Sequence, residues 1–290
     1  DMEWRALLAA EKPLLLPVAH DALTARLIER AGFSAYSIGG FPLVGARHGL
    51  PDIGLVGLGE MSAGMADIMR ATRLPVLVDA DDGYGDVKNV TRTLRTYEDL
   101  GAASLFIEDQ RAPKRCGHMA GKEVIETTAM EAKIRAAAAA RRKPATFLIA
   151  RTDARATHGL DEALRRGERY LAAGADGLFI EAPETHEEIA RIGATFRGVP
   201  LLANMLEGGR TPLLAPAELY ALGYAMVGYP TTLLFRITRT MMDALASLRA
   251  GTLVANAGCV GFEDFKQIVG YDDWAAVEDR FAKTDPSAER

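Results

Sequence analysis

The chain has 290 residues, 49% hydrophobic and 25% charged, enough for one large domain or two small ones with a substantial core. A net charge of -5 leaves no electrostatic footprint for nucleic acid or an anionic membrane surface. Two distant cysteines, Cys116 and Cys259, argue against a disulfide framework, and no apolar run approaches the roughly 20 residues that span a bilayer. Asp1-Met2-Glu3-Trp4-Arg5 lacks the basic start and apolar core of a signal peptide, so a cytoplasmic protein is expected.

Short apolar runs alternate with longer amphipathic stretches. Strands are expected at Leu14–Val18, Ser34–Ile38, Pro75–Val78, Ala103–Ile107, Thr146–Ala150, Gly177–Ile180, Pro200–Ala203 and Ala225–Gly228. Helices are expected near Ala22–Ala31, Leu58–Thr72, Val87–Leu100, Ala129–Arg141, Asp161–Ala173, Thr185–Thr195 and Thr232–Ala250, with a loop over Phe41–Leu55. The strands are continuous apolar runs, as in a parallel sheet covered on both faces. Eight such units predict a (β/α)8 TIM barrel, with an open doubly wound sheet as the alternative. Polar residues at the strand ends (Asp79, Asp81, Glu108, Arg151, Glu181 and Asn204) would converge on one mouth only in a barrel. The barrel is expected over 1–254. A helical extension is expected over 255–290, its apolar side chains packing on the barrel or a neighbouring subunit.

The fourth strand leads into Glu108-Asp109-Gln110-Arg111-Ala112-Pro113-Lys114-Arg115-Cys116-Gly117-His118. A thiol among Lys114, Arg115 and His118 has the surroundings of an activated cysteine, because positive charge stabilises the thiolate. The plainer reading is a solvated basic turn. Asp79, Asp81 and Glu108 form a hard-oxygen cluster suited to Mg²⁺, with Mn²⁺ as an alternative; helix capping and loop hydrogen bonds are the competing explanation. Zinc fits less well, since Cys116 and His118 lack further ligands at the usual spacing. Lys114, Arg115, Arg151 and Arg236 could bind carboxylates. Backbone N–H groups at Gly39, Gly40 and Phe41 could form an anion nest or simply a tight turn. No lysine ends a strand, where a Schiff-base aldolase would hold one. His20, His158 and His186 need no chemical role, His48 is ambiguous, and Cys259 reads as a packing residue.

These residues carry a family resemblance. Lys114-Arg115-Cys116-Gly117-His118, preceded by Asp79-Ala80-Asp81-Asp82-Gly83-Tyr84-Gly85, resembles the isocitrate lyase/phosphoenolpyruvate mutase superfamily. Gly49-Leu50-Pro51-Asp52, Ala150-Arg151-Thr152-Asp153-Ala154 and Asn204 through Pro212 fall in the expected order, so the match covers most of the chain. The cysteine motif is typical of the carbon–carbon lyase branch. The resemblance implies a TIM barrel in a homotetramer that exchanges its C-terminal helix between subunits. It implies Mg²⁺ held by Asp81, with Asp79 and Glu108 acting largely through water. It places Cys116 as general acid, in a catalytic set with Lys114, His118 and Arg151. Gly39, Gly40, Phe41, Arg151, Gly117, His118, Glu181 and Asn204 would bind a small 2-hydroxy acid. Two positions depart from the family pattern: Gly39-Gly40 stands where Ser-Gly is common, and His20 where Tyr is common. Asn204-Met205-Leu206-Glu207-Gly208-Gly209-Arg210-Thr211-Pro212 is similar to the alkylmalate lyases, which favours 2-alkylmalate or 2,3-dimethylmalate cleavage. 2-Methylisocitrate or isocitrate cleavage, oxaloacetate hydrolysis and phosphonate mutation are the alternatives within the family. Outside it stands a non-catalytic barrel that binds a small acid, with Glu207–Arg210 as a phosphate loop.

Overall fold

Eight short parallel strands, each followed by at least one helix, close on themselves in the computed structural model, which describes residues 3–114, 121–252 and 258–282. A leading helix α1 (Trp4–Ala10) is followed by β1 (Leu14–Pro17), α2 (Ala22–Arg30), β2 (Tyr36–Ile38), α3 (Gly40–His48), α4 (Leu58–Met69), β3 (Val76–Asp79) and α5 (Val87–Leu100). Then come β4 (Ser104–Glu108), α6 (Thr127–Ala140), β5 (Phe147–Thr152), α7 (Ala154–His158), α8 (Leu160–Ala172), β6 (Gly177–Ile180) and α9 (His186–Thr195). The series ends with β7 (Leu201–Asn204), α10 (Pro216–Ala221), β8 (Tyr224–Tyr229), α11 (Thr232–Ala250), α12 (Phe262–Ile268) and α13 (Tyr271–Phe281). β1 pairs with β8 from Leu14↔Met226 to Pro17↔Tyr229, and a parallel bridge, Val18↔Ser37, joins β1 to β2. The fold is therefore the expected (β/α)8 barrel rather than an open sheet.

Strand alternation sorts the core in two. Leu14, Leu16, Leu77, Phe106, Phe147, Ile149, Phe179, Leu202 and Met226 pack together inside the barrel. The other parity (Ile38, Val78, Leu105, Ile107, Leu148, Leu178 and Val227) packs in the larger cluster with the helices. Two residues on from inward Leu77, Phe106, Ile149, Phe179 and Leu202 come Asp79, Glu108, Arg151, Glu181 and Asn204. The period of two thus turns these polar groups inward, one layer above the apolar plug.

Helix ends follow local chemistry. Asp86 caps α5 by accepting from the N–H groups of Lys88 and Asn89, and Gly101 ends it at φ +101°. The sequence reading missed α1, α3, α7 and α10. The first of these matters for stability: Trp4 and Leu7 join the barrel's interior cluster, and Arg5 lies 5.0 Å from the Phe147 ring centroid. The helix caps the end of the barrel where the strands begin.

The chain divides into two compact units, Asp1–Arg236 and Ile237–Arg290. In the second, Met241, Met242, Leu245, Leu248, Phe262, Trp274 and Phe281 are exposed. Cys259, expected as a packing residue, is exposed in the single chain. Among the described residues no helix is long and apolar enough to cross a membrane.

Candidate active site

The acidic side of the mouth is built by β3, β4 and the turn between β3 and α5. β3 stops at Asp79, so Asp81 does not share its direction by strand continuation. Instead Asp81 takes φ +48°, a conformation costly for a residue with a Cβ, and its Oδ1 pairs with Lys114. Its backbone is fixed there. Asp81 N–H donates to Asp79 Oδ1 at 2.9 Å, and Glu108 N–H donates to Asp81 O at 2.8 Å. Gly83 cannot carry a side chain in this turn, since a Cβ would lie 2.3 Å from Val90 Cγ2.

A loop was expected from Phe41, and a nest or tight turn at Gly39 and Gly40, but these residues form the start of α3, with Gly39 as N-cap. Pro42 falls in the first turn, where a missing N–H costs nothing, and Gly49 closes the helix at φ +63°. The Gly40 N–H donates to Asp79 Oδ2 at 2.9 Å, so it serves the acidic cluster rather than standing open as an anion donor. A Cβ on Gly40 would come within 3.1 Å of Lys114 Nζ and 3.2 Å of Asp79 Oδ2, so the position forms a small polar cradle. On Gly39 it would meet Pro42 Cδ at 3.2 Å, which crowds any serine there.

Lys114 is buried inside this cluster. Its Nζ lies 2.8 and 3.0 Å from the two oxygens of Asp52 and is also paired with Asp81 Oδ1. Asp52, missed as a site residue by the sequence reading, is 6% exposed and follows α3 by four residues. Its only sequence signal was the Gly-Leu-Pro-Asp motif. Burial would lower the Lys114 ammonium, but Asp81, Asp79, Glu108 and Asp52 outweigh it and hold the group well above the usual lysine value.

Arg151, at the end of β5, faces the acidic side. Its Nε lies 2.9 Å from Asp153 Oδ2 and 3.3 Å from Glu108 Oε2, and its Nη2 donates to Asp153 Oδ1 at 3.2 Å. The guanidinium also lies over the Phe179 ring, 5.1 Å from its centroid. Lys122 Nζ supports Asp153 at 2.7 Å. Below it, Asp109 accepts from Thr152, Tyr170, Arg166 and the Asp153 N–H, a buried brace under β4 and β5. Glu181 and Asn204 line the same cavity from β6 and β7, and Phe41, Leu206 and Pro230 give it an apolar side.

Six carboxyl groups (Asp52, Asp79, Asp81, Glu108, Asp153 and Glu181) thus stand around Lys114 and Arg151 among the described residues. Burial, reinforced by Asp81, raises Asp79; burial raises Glu108 well above the carboxylate range despite Arg151. Glu108 Oε1 is buried with no hydrogen-bond partner. Among the described residues no three Asp, Glu, His or Cys side chains close on one point as a complete metal cage. Few protein oxygens, excess negative charge and an unpartnered carboxylate oxygen suit a hard divalent ion that keeps most of its waters, and not zinc.

Arg115, Cys116, Gly117 and His118 lie outside the described residues. His158 and His186 are exposed on α7 and α9, away from the cavity, as expected. His20 is buried against Thr24, its Nε2 3.1 Å from Oγ1. The Glu207–Arg210 stretch does not present a phosphate loop. Glu207 accepts from the hydroxyls of Thr231 and Thr232, and Arg210 pairs with Glu184 at 3.1 Å.

Three comparisons bear on this geometry. A family model described as phosphoenolpyruvate phosphomutase matches residues 4–249. The 2,3-dimethylmalate lyase of Eubacterium barkeri is 45% identical over 280 residues, 96% of each chain, and the 2-methylisocitrate lyase of Halalkalibacterium halodurans is 40% identical over 284 residues, 97% of this chain and 93% of that one. A structure of oxaloacetate acetylhydrolase with the inhibitor 3,3-difluorooxalacetate superposes with a TM-score of 0.91 at 29% identity, covering 96% of this chain and 95% of that one.

Proposed function

The chain belongs to the phosphoenolpyruvate mutase/isocitrate lyase superfamily, and from that premise we propose that it is a Mg²⁺-dependent lyase cleaving a 2-alkylmalate, with 2,3-dimethylmalate as the favoured substrate. The superfamily's members are generally divalent-metal dependent, and the two relatives at 45% and 40% identity are lyases. The observation that carries the substrate class is the division of the cavity. Asp79, Glu108 and Arg151 line it together with apolar Phe41, Leu206 and Pro230, while Asp81 pairs with Lys114 beside Asp79. A dicarboxylate with alkyl substituents uses all three parts. Among the described lining residues the cations are Lys114 and Arg151, enough for the two carboxylates of a malate.

Asp81 would hold the metal, with Asp79 and Glu108 acting through water. Bound there, the ion would lower the pKa of the substrate's 2-hydroxyl. Arg151, with the α3 start at Gly39, Gly40 and Phe41, would orient the end that becomes the 2-oxo acid. Glu181, Asn204, Gly117 and His118 would complete the substrate's surroundings. Loss of the hydroxyl proton lets the C2–C3 electron pair move onto C3, giving the 2-oxo acid and a carbanion stabilised as an enediolate. The Cys116 thiol, in a set with Lys114 and His118, would deliver its proton to that carbon. With 2,3-dimethylmalate the products are pyruvate and propionate. The exposed apolar residues of α11–α13 suit burial against a second copy, as in a tetramer that exchanges its C-terminal helix. Cys116→Ser tests the acid role: turnover should fall at least a hundredfold while substrate binding by calorimetry is kept, and unchanged turnover would refute it.

A further inference from the structure

We infer that the Lys114 ammonium is the resident cation of the carboxylate cluster, and that divalent-metal binding turns it out of that cluster into the substrate cavity. The inference rests on reading Asp81 as the metal's ligand. Lys114 Nζ already holds Asp81 Oδ1, and it is clamped from the other side by both oxygens of Asp52, at 2.8 and 3.0 Å. The space is small. Nζ, Asp79 Oδ2 and Asp81 Oδ1 all lie within 3.4 Å of one point beside Gly40. An ion bonded to Asp81 on this side, at the roughly 2.1 Å that Mg²⁺ requires, would crowd the ammonium with like charge in a buried setting. One of the two must leave, and the lysine is the one on a flexible four-carbon stem. Its exit is short, because Lys114 already lines the cavity where an anionic substrate would lie. Metal loading would therefore do two things together: occupy Asp81 and present a positive charge to the substrate.

The two occupants being exclusive, removing one should favour the other. Lys114→Met should bind Mg²⁺ about tenfold tighter or more than the wild type by calorimetry, corresponding to about 1.4 kcal/mol. A second readout needs no variant. Trace acetylation of the wild-type protein, read by mass spectrometry, compares Lys114 with exposed Lys88 as internal standard. An ion-paired buried ammonium reacts slowly, so adding Mg²⁺ should raise Lys114 labelling about fivefold or more relative to Lys88. Labelling that stays level or falls on adding Mg²⁺ overturns the displacement, as does a Lys114→Met protein that binds Mg²⁺ no more tightly. Asp81→Asn separates this from the metal reading. If Asp81→Asn binds Mg²⁺ as well as wild type, or wild type binds none, the metal reading itself has failed and the displacement falls with it.

Discussion

Arg151→Lys asks whether the planar fork at the end of β5 is what holds the basic side of the mouth. The substitution keeps the charge. It loses one of the two guanidinium contacts to Asp153, at 2.9 and 3.2 Å, and the flat face over Phe179. A hydrogen bond to a charged partner contributes about 1.5–3 kcal/mol, and the ring contact about 0.5–1 kcal/mol. The expected loss is about 2–4 kcal/mol, a large share of the roughly 5–15 kcal/mol typical of a folded protein. At about 2–4 °C per kcal/mol for a chain somewhat shorter than this one, melting by circular dichroism should drop roughly 5–10 °C. Turnover should suffer separately, because an ammonium cannot grip a carboxylate bidentately; kcat/KM should fall roughly 10- to 100-fold, mainly through KM. A variant that melts within about 1 °C of wild type, with unchanged KM, would refute the claim that the fork organises this side.

Trp4→Ala should cost about 3–5 kcal/mol, since Trp4 is 1% exposed in the barrel's interior cluster, yet leave kcat near wild type well below its melting point; denaturant unfolding and turnover together check this. His20 is lowered by burial, which Asp21 only partly offsets. The unfolded chain therefore takes up its proton first, and stability should fall as pH drops below about 6.5. His20→Gln should lose that component, so denaturation curves of variant and wild type should converge or cross on acidification; parallel pH profiles would contradict it. Trp274→Glu, on the exposed face of α13, should shift the protein to a smaller species by light scattering, and an unchanged mass would exclude that face from assembly.

The strands were legible because each is a short apolar run bounded by polar residues, and their ends named Asp79, Glu108, Arg151, Glu181 and Asn204 directly. α3 was not legible, since Gly-Phe-Pro-Leu-Val-Gly reads locally as a loop; only its N-cap at Gly39 and its left-handed end at Gly49 define it. α1 hid for another reason: seven residues carry little periodicity, and its purpose appears only when a barrel stands ready to receive Trp4. The pairing of Lys114 with Asp52 spans 62 positions, and no local pattern announces a contact of that kind. Asp81 is placed by a positive φ in the turn after β3, which no local pattern in the sequence announces.

Carbon–carbon cleavage with a metal's help is the activity proposed for this mouth. The most direct measurement is 2-oxo acid release by metal-stripped protein, with and without added Mg²⁺, from 2,3-dimethylmalate, 2-alkylmalates, 2-methylisocitrate and isocitrate, with oxalate release read for oxaloacetate. Mg²⁺-dependent pyruvate is expected, fastest from 2,3-dimethylmalate or a related alkylmalate. Pyruvate chiefly from 2-methylisocitrate would move the substrate assignment to the tricarboxylates. No product from any of them, by folded protein with Mg²⁺ bound, or full activity without metal, would contradict the claim itself.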